Sequence, residues 1–297
     1  MSQHQQAYIY ALSAVLLWST VATAFKIALE FLTPLYLLAI AVSVSAVFLL
    51  AVLIKQGKLS QALPHFQKQK KLYLLLAAIN PTLYYIILFQ AYDLLPAQQA
   101  QTINYTWAIT LSLLSVPFLG HKLKLQDIIA LIMAYAGALI IATEGDVLGL
   151  NFSNIPGVIL AFASTLFWAL YWIFNTRNQD DPVLSLFIGF TIALIPVWLI
   201  ALVFSEPVTW GWQGLLAASY VGLFEMGVTF WLWQTALHKT EHTAGISSLI
   251  FLSPFLSLVF ISQILGEAIH SATIWGLCLI IAGILIQKLK GKSKATH

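Results

Sequence analysis

Apolar residues run through this chain in blocks of about twenty, separated by short polar joints. A helix that crosses a bilayer core needs roughly 20 apolar residues. Ten windows meet that length: Tyr8–Leu29, Leu35–Ile54, Leu72–Tyr92, Ala97–Leu119, Ile128–Thr143, Ile155–Asn175, Val183–Phe204, Gly214–Leu237, Ala244–Leu265 and Ala272–Gln287. The joints carry the Gly, Pro, Asn and charged residues that end helices. Nothing is left over for a soluble domain. The pattern predicts an all-α integral membrane protein with ten transmembrane helices.

Composition agrees. Of 297 residues, 60% are hydrophobic and 8% charged, against roughly 45–50% and about 25% in soluble domains. Mean hydropathy is +0.87. So few charges could not cover a soluble surface of this size, which removes soluble enzymes, nucleic-acid binders and secreted disulfide scaffolds. The single cysteine, Cys278, allows no intrachain disulfide and no cysteine metal site. Its apolar surroundings predict a small buried hydrophobe.

The position of each charge says more than the net value of +3. With ten spans, loops alternate between two sides. Thirteen of the fourteen Lys and Arg fall on one side: Lys55 to Lys71 after span two, Lys122 and Lys124 after span four, Arg177, Lys239, and the tail Lys288 to Lys294. The opposite loops hold Glu30, Asp93, Glu144, Asp146, Glu206 and Glu267. The positive-inside rule then predicts two cytoplasmic termini. Ala22-Thr23-Ala24 has the look of a cleavage site, but the first six residues lack Lys and Arg. The first span is therefore expected to stay.

The chain also repeats itself. Trp18 and Trp168 lie 150 apart, each seven residues after an alanine, and Pro34 and Pro182 lie 148 apart. Gly120-His121 matches Gly266-Glu267, and Ala136-Gly137-Ala138-Leu139-Ile140 matches Ala282-Gly283-Ile284-Leu285-Ile286, both at 146. This predicts two five-helix repeats, 1–150 and 151–297. Five is odd, so the second repeat is inverted, the symmetry that many secondary transporters use for alternating access.

Several short segments carry a resemblance. They are Leu16-Leu17-Trp18-Ser19, Leu166-Phe167-Trp168-Ala169, Leu252-Ser253-Pro254-Phe255 leading to Leu265-Gly266-Glu267, and Asn104-Tyr105-Thr106-Trp107. In this order the chain resembles the drug/metabolite transporter superfamily, in its ten-helix EamA-type branch. The Asn-Tyr-x-Trp segment is similar to that of bacterial amino-acid exporters. Two features depart from the family pattern: His121 stands where the first half would carry Glu, and span two has Ala41, Val42 and Ser43 where an arginine is often found. The resemblance implies a multi-pass transporter of the bacterial inner membrane that exports amino acids or other small metabolites. It further implies a central cavity lined by spans one, three, four, six, eight and nine.

Ionisable groups inside a bilayer cost at least roughly 2.5–3.5 kcal/mol at its centre, so each is a candidate for function. Glu225 lies about 11 residues into span eight, near mid-membrane at roughly 1.5 Å per residue. It is either a substrate-ammonium or proton site, which leaves proton coupling open, or a carboxylic acid hydrogen-bonded between helices. Lys26 is close to the outer end of span one. It either reaches the interface along its stem or lines the cavity. On span four, Gln101, Asn104 and Tyr105 share a face, which must pack through hydrogen bonds or line a wet cavity. The cavity reading is taken for Asn104 and Trp107, and helix packing for Gln101. Asn80-Pro81 should break span three.

Of the many aromatics, Trp210, Trp212 and Trp275 suit the membrane interface. Tyr84, Trp168, Tyr171 and Trp231 lie mid-span, as core packing or as an aromatic cavity wall. Such a wall would suit a substrate with an apolar or aromatic part, or an organic cation, so drug or organic-cation efflux stands as the alternative. All seven His lie in loops, tails or span ends, and no metal, nucleotide or other cofactor motif is present. Glu225 alone does not make an acid–base or nucleophile pair. The expected partners are a small-molecule substrate and lipid, with oligomeric state open. A channel or a structural membrane protein is the remaining reading.

Overall fold

The computed structural model describes residues 3–149, 152, 154–208, 210–239, 246 and 249–289. All its regular structure is helical among these residues. Eight stretches are long and apolar enough to cross a membrane: Gln5–Leu29, Pro34–Gln56, Lys70–Leu94, Ala97–Leu119, Leu125–Ala142, Ile155–Asn175, Pro182–Phe204 and Trp212–Leu237. Each covers one of the first eight predicted windows, except that the fifth stops one residue short of Thr143. Two shorter apolar stretches, Leu249–Leu265 and Ser271–Gln287, fall on the ninth and tenth. Residues 244, 245, 247 and 248 of the ninth window and the tail lysines 290, 292 and 294 lie outside the described residues.

Helices are numbered along the chain: α1 (Gln3–Leu29), α2 (Pro34–Lys55), α3 (Ala62–Lys68), α4 (Lys70–Ala77), α5 (Tyr84–Leu94), α6 (Ala97–Asn104), α7 (Trp107–Leu119) and α8 (Leu125–Ala142). They continue as α9 (Ile155–Asn175), α10 (Pro182–Phe204), α11 (Trp212–Phe224), α12 (Val228–Lys239), α13 (Ser253–Phe260) and α14 (Ser271–Leu289). Caps come from the joints. Thr33 and Asp181 each precede a proline at the first helical turn and accept backbone N–H groups from it. Gly120 and Gly266 end their helices in the left-handed conformation, φ +70° at both, where a side chain would be strained.

The chain forms two compact units. Unit 1 comprises 1–89 with 178–267, and unit 2 comprises 90–177 with 268–297. Each draws on both sequence halves. In unit 1, α1 packs on α11, α12 and α13, and α2 packs on α10 and α11. At one end, Lys58 Nζ lies 2.6 Å from Asp181, while Asp180 accepts from the Tyr73 hydroxyl at 2.6 Å and sits 2.7 Å from His65 Nδ1. Burial works to raise the Asp181 pKa, but the Lys58 ammonium and the N–H groups of Leu184 and Val183 outweigh it and hold the carboxyl below its ordinary value. At the other end of the same helices, Thr33 and Ser205 share a hydrogen bond of 2.8 Å.

In unit 2, α7 and α6 pack on α9, and α8 packs along α14. Small residues let α8 and α14 approach closely. A Cβ on Gly137 would meet the Gly276 carbonyl oxygen at 2.4 Å, and one on Gly276 the Gly137 oxygen at 2.5 Å. Gly283 faces the Ala130 carbonyl in the same way, at 2.8 Å. This contact corrects the expectation for Cys278, which is exposed. Helix α14 turns Gly276, Leu277, Ile280 and Gly283 inward, so Cys278 falls on its outer face. Trp210, Trp212 and Trp275 are exposed, as interfacial residues would be.

Candidate functional site

Several spans are interrupted in mid-course, and four of the predicted site residues, Tyr84, Asn104, Trp107 and Glu225, lie at or beside the interruptions. Irregular backbone at membrane depth persists where its freed polar groups find partners. Span eight stops at Phe224 and resumes at Val228. The Met226 carbonyl accepts from the Ser45 hydroxyl at 3.0 Å, and the Phe224 carbonyl accepts from the Thr229 hydroxyl. Glycines let neighbouring helices close on this break: a Cβ on Gly222 would meet the Ala41 carbonyl oxygen at 2.5 Å, and one on Gly227 the Phe48 ring at 2.9 Å.

Glu225 lies in the break, thirteen residues after Trp212, or roughly 20 Å along the helix. The Tyr85 hydroxyl donates to its Oε1 at 3.1 Å. Tyr85 is almost fully buried and held by rings: Tyr84 edge-on at 4.7 Å and Phe89 at 5.3 Å, with Phe25 beyond at 5.0 Å. The α4–α5 span delivers these tyrosines through its own interruption. Asn80 leaves helical geometry at φ −139°, ψ 120°, just before Pro81. It is buried, and its Oδ1 has no protein partner among the described residues.

The other unit 1 candidates are Lys26 and Trp231. Lys26 is half-buried in the last turn of α1. Trp231 stands edge-on to Tyr10 at 6.4 Å, and its neighbours Phe230 and Trp233 both pack on Trp18 at 5.6 Å. Trp231 thus belongs to an aromatic cluster with the early part of α1.

Unit 2 gathers the remaining candidates around the interruption of span four. The sequence predicts one unbroken helix over 97–119, whereas α6 ends at Asn104 and α7 starts at Trp107. Asn104 Nδ2 donates to Ser164 Oγ at 2.9 Å, and Thr110 shares hydrogen bonds of 3.0 Å with Tyr135 and Thr165. Trp107 meets Trp168 edge-on at 6.3 Å, and Trp168 stacks on Tyr171 at 5.7 Å and 26°. Trp172 closes the group, 5.9 Å from Trp168. The arrangement is a polar face of amide and hydroxyl groups beside a wall of ring faces. Such walls take apolar, aromatic or cationic groups. Gln101, expected to pack through hydrogen bonds, is buried, and its Oε1 has no protein partner among the described residues.

Sequence reasoning missed Tyr85 as a partner of Glu225. It is adjacent to Tyr84, and which of two adjacent tyrosines points at a carboxylate depends on the kink at Asn80.

The model of the EamA-like transporter family matches residues 5–143 and again residues 155–287. The chain is 26% identical over 290 residues to an uncharacterized transporter of Bacillus subtilis, YvbV, covering 94% of this chain and 90% of that one. It is 23% identical over 206 residues to the aromatic amino acid exporter YddG of Ancylobacter novellus, covering 67% of this chain and 69% of that one. A crystal structure 20% identical in sequence has the same fold, with a TM-score of 0.67 over 96% of this chain and 97% of its own.

Proposed function

The chain belongs to the EamA-like transporter family, and from that premise we propose that it is a secondary transporter exporting amino acids or closely related small zwitterions, with a preference for aromatic side chains. The observation that carries this reading is the Glu225 carboxylate at the mid-span break of span eight, held by Tyr85. A carboxylate at that depth calls for a counter-charge or a proton. A substrate ammonium supplies the first and a coupled proton the second. The ring wall of Trp107, Trp168 and Tyr171 supports an aromatic side chain, as does similarity to an aromatic amino acid exporter.

The proposed architecture is ten spans in two inverted repeats, 1–150 and 151–297, which exchange roles in alternating access. Paired contacts support it. Under the offset of 146, Gly137 corresponds to Gly283 and Ala130 to Gly276, so the Gly137–Gly276 contact has its counterpart in Gly283–Ala130. The caps Thr33 and Asp181 lie 148 apart, and each is bonded to the joint that follows the other's helix. Interruptions also fall at matching places, Asn80 in span three and Glu225 in span eight. Such matched breaks mark transporter binding sites. The loop charges support cytoplasmic termini in a bacterial inner membrane.

The test is counterflow in vesicles holding the purified protein. Vesicles loaded with unlabelled phenylalanine should take up labelled phenylalanine saturably, and external tryptophan should compete. Non-saturating flux would indicate a channel. Counterflow of tetraphenylphosphonium without counterflow of any amino acid would favour organic-cation efflux.

A further inference from the structure

Unit 2 contains a cavity of about 360 Å3 where α7 ends, α8 begins and α14 nears its own end. Its lining includes Ser112, His121, Lys122, Lys124, Asp127 and Gln287. The left-handed turn at Gly120 builds it: the Gly120 N–H bonds the Val116 carbonyl and the His121 N–H reaches back to the Ser115 carbonyl at 3.3 Å. The second half makes the same turn at Gly266 but follows it with Glu267. Here the following residue is His121, so the position that carries a carboxylate in one half carries an imidazole in the other.

The one acid in the lining is already committed. Asp127 Oδ2 accepts from the Lys124 backbone N–H at 2.7 Å, and Oδ1 accepts from Gln287 Nε2 at 3.2 Å. Gln287 Nε2 also donates to Ser112 Oγ at 2.6 Å. The side chains of His121, Lys122 and Lys124 are exposed, and among the described residues neither lysine joins an ion pair. Two fixed positive charges and an imidazole thus surround a cavity whose carboxylate is tied to the scaffold. One apolar side chain belongs to the lining, Leu123, and it is 40% exposed.

We propose that this cavity binds the phosphodiester headgroup of an anionic lipid, from the leaflet on the side that holds the basic loops. Ammonium groups make short charge-assisted bonds to phosphate oxygens, and basic pockets between helices on that side suit anionic headgroups. The exposed Leu123 of the lining favours a lipid over a free anion, because it offers surface to acyl chains that inorganic phosphate lacks. The site is separate from the Trp107–Trp168 wall and does not depend on the substrate transported.

The experiment places purified full-length protein in phosphatidylcholine vesicles with a minor share of phosphatidylglycerol. Spin-labelled forms of each lipid report which is motionally restricted at the protein. Wild type should hold phosphatidylglycerol in preference. Lys122→Ala/Lys124→Ala should reduce that preference by about fivefold for each lysine removed, and His121→Glu should reduce it as well. Both variants alter exposed side chains, and an unchanged thermal unfolding midpoint confirms that they fold. Undiminished preference in the folded double variant overturns the proposal. A second arm adds inorganic phosphate, with chloride at matched ionic strength. Loss of the preference in phosphate but not in chloride assigns the cavity to a free anion and overturns the lipid assignment, whereas equal, small effects support it.

Discussion

Replacing Gly137 by alanine tests the packing of α8 on α14 directly. The new Cβ would stand 2.4 Å from the Gly276 carbonyl oxygen, and 3.1 Å from both Ile280 Cγ1 and Leu279 Cβ. The first obstacle is backbone, so no rotamer change relieves it. The helices must part locally by roughly 1 Å, with loss of dispersion contacts along their seam. Overpacking of this kind costs about 1–3 kcal/mol, and the gain in helix propensity from Gly to Ala returns less than about 1 kcal/mol. A net loss of about 1–2 kcal/mol is expected. Gly276→Ala should cost a similar amount. Because the two residues share one contact, the double variant should lose less than the sum of the single losses. Gly189→Ala is the control, since a Cβ there has nothing within 4 Å and the backbone is ordinary helix; it should be neutral or stabilising. Unfolding of the purified proteins in mixed detergent and denaturant micelles reads all four. Gly137→Ala and Gly276→Ala indistinguishable from wild type would refute the close approach.

Three further outcomes follow from the same structure. Asp181→Asn keeps the helix cap but removes the ion pair with Lys58, so it should cost less than about 1 kcal/mol at neutral pH, while Asp181→Ala should cost more. Because the folded state holds the Asp181 carboxyl below its unfolded value of about 3.9, its contribution is present above that value and lost as pH falls through the folded pKa; the wild type and Asp181→Asn should therefore converge in strong acid, as read by unfolding midpoints. Trp168→Ala should raise the KM for aromatic amino acids by about twofold to tenfold, the worth of its ring contacts, with a smaller effect for Trp168→Phe in counterflow assays. Reporter fusions at Asp146 and after His297 should lie in opposite compartments, and finding both on one side would refute the proposed topology.

The apolar blocks made the spans legible, since the bilayer sets their length. The windows Ala97–Leu119 and Ile155–Asn175 coincide end to end with the observed stretches. The interruptions were less legible. Pro81 announces one of them, but the break at Glu225 is satisfied by Ser45, far away in sequence, and periodicity carries no sign of such a donor. Cys278 shows the complementary failure. An apolar run reads alike on its lipid face and its protein face, so composition gave no means of choosing, and the glycines of α8 and α14 decided the matter. For the candidate site, the i, i+3 spacing of Trp168 and Tyr171 puts the two rings on one helix face, where they stack. The bond from Tyr85 to Glu225 depends on the orientation that α5 takes after Asn80, which is a tertiary outcome.

In the proposed mechanism Glu225 exchanges charge with substrate or proton during transport. Glutamine preserves its shape and can still accept from the Tyr85 hydroxyl, but it cannot change charge. Phenylalanine counterflow should be measured for wild type and Glu225→Gln in matched vesicles across a range of pH, with unfolding midpoints to establish that both are folded. The variant should either fail to transport or transport with no dependence on pH. Transport by Glu225→Gln at the wild-type rate, with the wild-type pH profile, would show that the charge of Glu225 takes no part in transport.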